Sequence, residues 1–346
     1  MRQRTRSVLT HSITALALVF AVGCGNTNNN PGPDAGTGTD AGTGTDGGTG
    51  VDGGTLGSGN VTSATAAVTG SDTTFSFPTD AAPSPDGTTI YFSAIQSGAT
   101  SAGSGIFSVP AAGGTPTALS VGGNIVAPLS LAVSSDGSFI YGADPAYTTA
   151  NDNGAVFVIG KAGGNPSALN ETADYAPRSV AVAKVGSADN IYFVGDDKAD
   201  GSAGIFKDTA GAVTKVIAAD AQAVAAHTDG TVYFIDANGS VQKVAAGATT
   251  ATALGTAANG LNVNFPAGIA VSQDGKFVLV PVIDPATKGQ SIARIDTASG
   301  AVTQLALGLG SNSEGGGLHR AANADVYSFV DSGAGANGGG TIYLIK

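Results

Sequence analysis

Cysteine, methionine and tryptophan are almost absent from this chain. It contains one Cys, one Met and no Trp in 346 residues. One cysteine cannot form an internal disulfide, so cysteine usage gives no information about the redox compartment. After residue 60, no stretch keeps an apolar period of 3.6 residues, which argues against a helical domain. The domain is therefore predicted to be all-β.

Basic residues are scarce. The chain has 15 Lys and Arg against 26 Asp and Glu. Removal of the first 23 residues, which include Arg2, Arg4 and Arg6, leaves 12 basic against 26 acidic residues and a net charge of −14. This balance argues against a nucleic-acid partner, because such affinity rests on Lys and Arg contacts to phosphate. It is compatible with cations, basic partners or simple solubility.

Motifs that carry common catalytic chemistry are missing. No Gly-x-Ser-x-Gly elbow occurs, and neither Gly-x-Gly-x-x-Gly match, Gly48–Gly53 or Gly333–Gly338, joins a strand to a helix. Of the three histidines, His11 lies in the N-terminal segment, His227 beside a turn and His319 in a strand region. A lone histidine beside a turn is expected to be solvated rather than catalytic.

The N-terminal segment reads as a targeting signal. Three arginines precede the apolar stretch from Ile13 to Val22, which is too short to span a bilayer. The run Ala21-Val22-Gly23-Cys24 resembles the lipobox of bacterial lipoproteins, although the family more often has Leu where Ala21 stands. Residues 1–23 are therefore predicted to be a lipoprotein signal peptide, with Cys24 acylated. The alternative is an ordinary cleaved signal followed by a stray cysteine.

The lipobox resemblance implies a location. Several acyl chains on one terminus, such as palmitate, make a stable membrane anchor, whereas one chain gives only marginal binding. Gly25 follows the cysteine, where an Asp would retain a lipoprotein at the inner membrane of enteric bacteria. We therefore expect a lipid-anchored protein of the bacterial cell envelope, at the outer membrane.

Residues 24–59 are predicted to be a disordered tether. They hold almost no large apolar side chains, and Asp34, Asp40, Asp46 and Asp52 recur every six residues among Gly and Thr. Such a segment cannot bury enough apolar surface to offset chain entropy. A Gly-rich chain of this length has a root-mean-square reach of roughly 30–35 Å.

Six copies of one pattern organise residues 60–346. Apolar triplets such as Ile-Tyr-Phe are separated by 50, 51, 41, 46 and 48 residues and begin at Ile90, Ile140, Ile191, Val232, Val278 and Val326. A strand of small residues precedes each triplet, and two further strands follow it. Four strands at this period predict a propeller blade. Residues 60–346 are therefore predicted to form one six-bladed β-propeller.

The last copy has three strands instead of four. The missing strand is expected at the other end of the domain, because Val61–Val68 resembles the fourth strand at Ala248–Leu254. We expect this N-terminal strand to complete the last blade. Closure of the ring in this way removes exposed sheet edges.

A family resemblance supports the same fold. The run Ile106–Leu119 and the element Ile140-Tyr-Gly-Ala-Asp144 resemble the six-bladed propellers of the YWTD, NHL and gluconolactonase-like (TolB-like) group. The resemblance covers nearly all of residues 60–346. It departs from the YWTD repeats in lacking tryptophan.

The loop-rich face of such a propeller is the predicted site. The entrances to the inner strands carry Asp80, Ser130, Arg178, Gln222, Gly268 and Glu314, and acids follow every triplet but the first, at Asp144, Asp196, Asp197, Asp236, Asp284 and Asp331. These acids predict either an acidic rim that binds a cation or ligand, or aspartates that only form turns. Arg178 is expected to pair with Glu314 or Asp80, with an anionic ligand as the alternative.

The resemblance also bears on metal. Enzymes of the gluconolactonase-like group hold a divalent metal with Glu, Asn and Asp. Glu314-Gly-Gly-Gly-Leu resembles their Glu-containing element, so Glu314 is the best single candidate for a metal ligand. Their Asn comes from Pro-Asn-Gly, which reads Pro266-Ala-Gly here. The resemblance thus implies at most weak Ca²⁺ binding and no lactonase activity.

Three functions are compatible with this sequence. The first is a membrane-tethered propeller that binds a protein, peptide or glycan on its loop-rich face. The second is a divalent-metal-dependent lactonase or hydrolase of the gluconolactonase-like type. The third is a purely structural envelope lipoprotein.

Cys24→Ser is expected to abolish membrane attachment and leave the propeller folded, because the acyl chains are the predicted anchor. Labelled palmitate incorporation and membrane fractionation measure this. Incorporation of label by the variant, or its retention in the membrane fraction, would contradict the lipoprotein hypothesis.

Overall fold

The computed structural model describes residues 61–71, 73–98, 103–151, 153–256, 260–263, 268–284, 286–309, 315–335 and 338–346. The predicted signal peptide, Cys24 and the tether lie outside these ranges, as do Glu314 and Pro266. Within these ranges, no helix has the length and apolar character needed to cross a membrane.

Strands form six antiparallel sheets of four strands each. An N-terminal strand precedes the first sheet and is β1 (Ala64–Thr69). Blade 1 contains β2 (Phe75–Pro83), β3 (Thr89–Gln96), β4 (Ser104–Pro110) and β5 (Thr117–Val121). Blade 2 contains β6 (Ser130–Val133), β7 (Phe139–Asp144), β8 (Ala155–Gly160) and β9 (Ser167–Ala168), and a short 3₁₀ helix, Asn170–Thr172, follows it.

The remaining four blades repeat this order. Blade 3 contains β10 (Ser179–Val185), β11 (Ala188–Asp196), β12 (Ala203–Thr209) and β13 (Ala212–Ile217). Blade 4 contains β14 (Ala221–Ala226), β15 (Val232–Asp236), β16 (Val241–Val244) and β17 (Thr252–Gly255). Blade 5 contains β18 (Ala270–Val271), β19 (Phe277–Ile283), β20 (Gln290–Asp296) and β21 (Val302–Leu305). Blade 6 contains β22 (Gly315–Arg320), β23 (Tyr327–Asp331) and β24 (Thr341–Ile345).

The strand β1 completes blade 6 and closes the ring. It pairs antiparallel with β24, with Ala64 opposite Ile345 and Thr69 opposite Thr341. The N–H groups of Thr62 and Ser63 extend the pairing by donating to Lys346 O at 2.8 and 2.9 Å. The predicted six-bladed, all-β propeller closed by its N-terminal strand is therefore confirmed.

The hydrophobic core is divided among the blade interfaces. Six clusters of buried side chains each combine residues of two consecutive blades. Between blades 6 and 1, for example, the stacked rings of Phe92 and Phe107 pack with Phe75 and Ile342. The second strand of each blade has the most apolar sequence because it contacts both neighbouring blades.

Asp-Gly turns join the first and second strands. Ser84 Oγ donates to Asp86 Oδ1 at 2.6 Å, and the same oxygen accepts from Thr88 N–H at 3.1 Å. Gly87 has a φ of 70°, a conformation that glycine adopts without steric cost. The Ser134–Asp136 and Ser272–Asp274 pairs repeat the Ser–Asp hydrogen bond, each at 2.7 Å.

A pair of carboxyl groups lies between blades 2 and 3. Glu171, in the 3₁₀ helix, lies beside the buried Asp208 of β12, and the two carboxyl groups form a hydrogen bond when one of them is protonated. Burial, and then this hydrogen bond and the charge of Glu171, raise the pKa of Asp208 to about 6. A carboxyl group whose pKa is raised on folding stabilises the fold when protonated and destabilises it when ionised.

Deletion of residues 60–69 is expected to lower the melting temperature far more than deletion of residues 25–55. The first deletion unpairs β24 and opens the ring, at a cost of several kcal/mol or roughly 10 °C for a domain of this size. The second removes only the predicted tether. Thermal melts of both variants measure this difference. Equal melting temperatures would contradict the role of β1 in closing the ring.

Asp208→Asn is expected to stabilise the fold at pH 7.5. The pKa of about 6 in the folded protein lies above the ordinary value of 3.8, so the ionised group opposes folding at neutral pH by on the order of 1–3 kcal/mol. Asn keeps an oxygen that accepts from Gly211 N–H, as Asp208 Oδ1 does at 2.9 Å. The gain should shrink as the pH falls from 6 to 4.

Melting curves between pH 4 and pH 8 measure the effect of Asp208→Asn. The control is Asp220→Asn, at an exposed aspartate outside the pair. A gain at pH 7.5 that persists unchanged at pH 4 would contradict the assignment to the Asp208 carboxyl.

Candidate functional site

The inner strands all begin at the same face, and their first residues surround a cavity on the propeller axis. This cavity, the axial pocket, has a volume of about 210 Å³. Five of the six blades contribute through the residues Thr79 and Asp80, Leu129 and Ser130, Arg178 and Ser179, Gln222, and Gly317, His319 and Ser332. Blade 5 adds Gly268 and Ile269. The predicted entrance positions therefore do converge, apart from Glu314, which lies outside the described residues.

Asp80 connects three blades at the pocket wall. Its side chain is 1% exposed, and its Oδ2 accepts from Leu131 N–H of blade 2 at 2.7 Å. Its Oδ2 also lies 2.8 Å from His319 Nε2 of blade 6, and its Oδ1 accepts from Ala81 N–H at 2.8 Å. A buried carboxylate needs such partners to offset its lost hydration. Asp80 is therefore a fixed part of the wall rather than a free ligand.

Two consecutive glycines allow this close approach. A Cβ atom at Gly317 would overlap the Asp80 carboxylate, and one at Gly316 would press against Thr79 O. Gly316 and Gly317, in the run that follows Glu314, thus have a packing reason, because β22 must run against the start of β2.

Arg178 forms an ion pair within its own blade. Its Nη1 lies 3.0 Å from both carboxylate oxygens of Asp196, on the neighbouring strand β11. The partners expected from the sequence were Glu314 or Asp80, and the Asp80 assignment is wrong because that carboxylate is occupied by His319 and backbone N–H groups. The Arg178 and Asp196 side chains are 30% and 40% exposed, so solvent weakens the pair.

The predicted acidic rim is not continuous. Asp144 and Asp331 are fully buried. Asp144 accepts from the N–H groups of Val126 at 2.8 Å and Ala127 at 3.1 Å, while Asp331 accepts from Gly333 N–H at 3.1 Å. Burial raises the pKa of Asp144, and these hydrogen bonds oppose the shift. These two acids shape loops, so neither belongs to an exposed rim.

The remaining acids also cap their loops. Asp236 accepts from Ser240 N–H at 3.0 Å, and Asp284 accepts from Ala286 N–H at 2.7 Å, which lowers the pKa of Asp284. Asp197 pairs with Lys215 Nζ at 2.8 Å. The turn-forming interpretation accounts for these contacts. Within the described ranges, no three His, Cys, Asp or Glu residues lie close enough to hold a metal ion.

His227 has a structural position. It replaces the serine of the other Asp-Gly turns, with Nδ1 3.0 Å from Asp229 Oδ1, and its Nε2 lies 3.2 Å from Gln273 O of blade 5. The other histidine, His319, reaches the pocket and was not recognised from the sequence. The sequence feature that could have identified His319 is its place in the repeat, because it occupies the inner-strand position where blades 2 and 3 have Ala132 and Ala181.

An exposed apolar surface adjoins the pocket on blades 1 and 2. We call it the apolar ledge; it consists of Phe77, Ile95, Val126 and Leu129, which are 38–48% exposed. Ile95 pairs with Ser76, which places it beside Phe77. Leu129 also lines the axial pocket, so the ledge borders the pocket at this residue.

The backbone under the ledge is strained and firmly held. Ser76 pairs with Ile95 and Asp80 with Ser93, so Phe77, Pro78 and Thr79 bulge out of β2. Phe77 has a φ of 48°, which is unfavourable for a residue with a bulky side chain. Backbone strain of this kind persists only where the surroundings enforce it, and it is common at binding sites.

Hydrogen bonds join the two halves of the ledge. Thr79 Oγ1 donates to Pro128 O at 2.7 Å, which connects the bulge of blade 1 to the loop of blade 2. Ser104 Oγ donates to Val126 O at 2.6 Å, and the buried Asp144 holds the same loop from below. The ledge therefore has a defined shape before any ligand arrives.

Comparison with known proteins supports the fold and assigns no activity. No family model and no curated protein matches the chain. A luciferin-regenerating enzyme is similar, with a TM-score of 0.53 and 12% identity over 79% of this chain and 92% of that one. A Kuenenia stuttgartiensis hydrazine synthase structure gives a TM-score of 0.47 and 17% identity over 76% of this chain and 79% of that one. At 12% identity, the similarity to the luciferin-regenerating enzyme shows the propeller fold alone.

Asp80→Ala is expected to destabilise the fold by about 2–4 kcal/mol, because it leaves the N–H groups of Ala81 and Leu131 without acceptors. His319→Gln should cost less, since both N–H groups keep the carboxylate. Equilibrium urea unfolding at pH 7.5 measures both variants. A loss for Asp80→Ala no larger than that for His319→Gln would contradict the role of Asp80 as the link between blades 1, 2 and 6.

Proposed function

We propose that this protein is a membrane-anchored binding module of the bacterial cell envelope, at the outer membrane, and that its ligand is a segment of another protein. The observation that carries the proposal is the apolar ledge beside the axial pocket. The anchor rests on the lipobox resemblance at Cys24, and the ligand assignment rests on the geometry of the loop-rich face.

The position of the exposed apolar side chains supports binding at this face. Four of the five exposed large apolar side chains in the described residues form the ledge, and the fifth, Phe139, lies at the opposite face. Covering one Leu or Phe side chain contributes about 1.5–3 kcal/mol. Apolar side chains grouped in this way around a polar cavity are typical of protein interaction sites.

The rigidity of the ledge supports the same proposal. The bonds from Thr79 and Ser104 hold both loops, so binding does not require them to become ordered. A surface that is ordered before binding loses less conformational entropy on association.

The chemistry of the ledge favours a protein segment over a glycan. Sugar rings stack on aromatic faces, and the ledge contains one aromatic residue, Phe77, with three aliphatic ones. Aliphatic side chains instead complement the apolar side chains of a polypeptide. The mature chain is strongly acidic, and this charge disfavours nucleic acid.

The two other functions remain alternatives. A metal-dependent lactonase, with Ca²⁺ or another divalent ion, would need Glu314, which lies outside the described residues, and an Asn that Pro266-Ala-Gly lacks. A purely structural envelope protein would not need the strained bulge that exposes Phe77.

The test is selection of binders from a library of random dodecapeptides on the full chain. Affinities of the enriched peptides are then measured for wild type, Phe77→Ser and Leu129→Ser. Loss of one buried apolar side chain should weaken binding by about tenfold or more. The matched control is Phe139→Ser, since Phe77 and Phe139 are both 47% exposed.

Enriched peptides that bind the Phe77→Ser and Leu129→Ser variants as tightly as wild type would contradict the proposal. So would a library that yields no binder. Thermal melts of the three variants show whether any loss of affinity comes from unfolding instead.

A further inference from the structure

The polar wall of the axial pocket offers hydrogen-bond donors. Val180 N–H donates to Ser130 Oγ at 3.1 Å, and Val224 N–H donates to Ser179 Oγ at 3.2 Å. Each hydroxyl thus accepts a backbone hydrogen bond and still carries its own proton. The described residues provide no acceptor for either proton, although Ser130 and Ser179 are only 6% and 5% exposed. Both side chains line the pocket, so their free protons need an acceptor there.

Arg178 adds further donors to the same wall. A guanidinium group carries five N–H bonds, and only those of Nη1 contact Asp196. Nε and Nη2 have no partner among the described residues, and the side chain is 30% exposed at the pocket. The amide of Gln222 lines the pocket without a described partner as well.

The Asp80 carboxylate and the Thr79 hydroxyl of the wall are already occupied. The Asp80 carboxylate is bound by Leu131 N–H, Ala81 N–H and His319 Nε2. The Thr79 hydroxyl donates to Pro128 O and lies 2.6 Å from Ser93 Oγ. The charged group left to bind a ligand is therefore the Arg178 guanidinium, and a ligand that fits it and the two serine hydroxyls must present acceptors.

We propose that the axial pocket binds a carboxylate, and that this carboxylate is the C-terminus of the protein segment that lies on the apolar ledge. A carboxylate has only acceptor oxygens when ionised and matches the fork of an arginine. The pocket volume of about 210 Å³ suits a small group of this kind. This inference rests on the proposed function and specifies its ligand.

The C-terminus is favoured because the ledge and the pocket meet at a shared residue. Leu129 belongs to both, and Thr79 of the pocket wall is next but one to Phe77 of the ledge. A terminal residue carries its apolar side chain and its carboxylate on one carbon, so it can contact both surfaces at once. An Asp or Glu side chain offers the same carboxylate from a different source.

Three synthetic peptides separate these sources. The first is acetyl-Ala-Ala-Leu-Leu with a free carboxylate, the second is the same peptide as its amide, and the third is acetyl-Ala-Ala-Leu-Glu-amide. Their affinities for the full chain are measured by isothermal titration calorimetry up to millimolar concentrations. The amide cannot form the charge-assisted bidentate contact, so the second peptide should bind on the order of tenfold more weakly than the first.

Two variants of the ion pair test the role of Arg178. Arg178→Gln should remove the preference for the free carboxylate. Asp196→Asn should increase it, because the guanidinium then has no competing carboxylate. The control is Arg294→Gln, which changes an arginine stacked on Phe277 in blade 5 and should leave the preference unchanged.

The measurements distinguish failure of the carboxylate site from failure of the protein-binding function. Equal affinity of the free acid and the amide, with both weakened by Leu129→Ser, would overturn the carboxylate site and leave the protein-binding function in place. Weaker binding of the free acid to both Arg178→Gln and Asp196→Asn would mean that the ion pair is only structural, and it would overturn the proposal.

Two further outcomes complete the test. If the peptide amide with the terminal Glu side chain binds as tightly as the free acid, the pocket takes a side-chain carboxylate, and the assignment to a C-terminus is wrong. If none of the three peptides binds at millimolar concentration, two proposals are overturned: that the pocket binds a carboxylate, and that the ledge binds the segment carrying it.

Discussion

The antiparallel pairing of β1 with β24 is the interaction on which the rest of the structure depends. It joins the two ends of the domain in one sheet, so every blade has four strands and two neighbours. A closed ring places the starts of all inner strands around one axis. The axial pocket exists because residues of all six blades, as far apart in sequence as Thr79 and Ser332, are brought to the same point.

A tightly constrained polar group lies at the seam of the ring, where blade 1 meets blade 6. Asp80 lies on blade 1 and contacts blades 2 and 6, so its carboxylate spans the position where the first and last full blades meet. A buried carboxylate with all its partners holds the inner strands in register, whereas one without them would be costly. The glycines of β22 are small so that His319 and Asp80 can meet at this seam.

The loop-rich face is also held rigid by buried polar groups that are hydrogen-bonded to its loops. Asp144 was expected to be a rim residue, yet it is buried under the loop that carries Val126. Acids that cap loops and hydroxyls that link blades leave little freedom at the ledge. The strained backbone of Phe77 is the local cost of this arrangement, and the packing of its ring against Gly338 helps to hold it.

The sequence by itself determined the number of blades, the Asp-Gly turns and the closing strand, because these depend on local periodicity and turn chemistry. It also identified Asp80, Ser130, Arg178 and Gln222 as neighbours, since the starts of the inner strands of a propeller meet on the axis. Only the tertiary structure decided the partners of these residues. Asp196 rather than Asp80 binds Arg178, and His319 reaches the pocket, because side-chain contacts across the ring join residues as far apart as 80 and 319. The apolar ledge was likewise decided by folding, since irregular loops and a bulge carry no periodic signal from which exposure can be read.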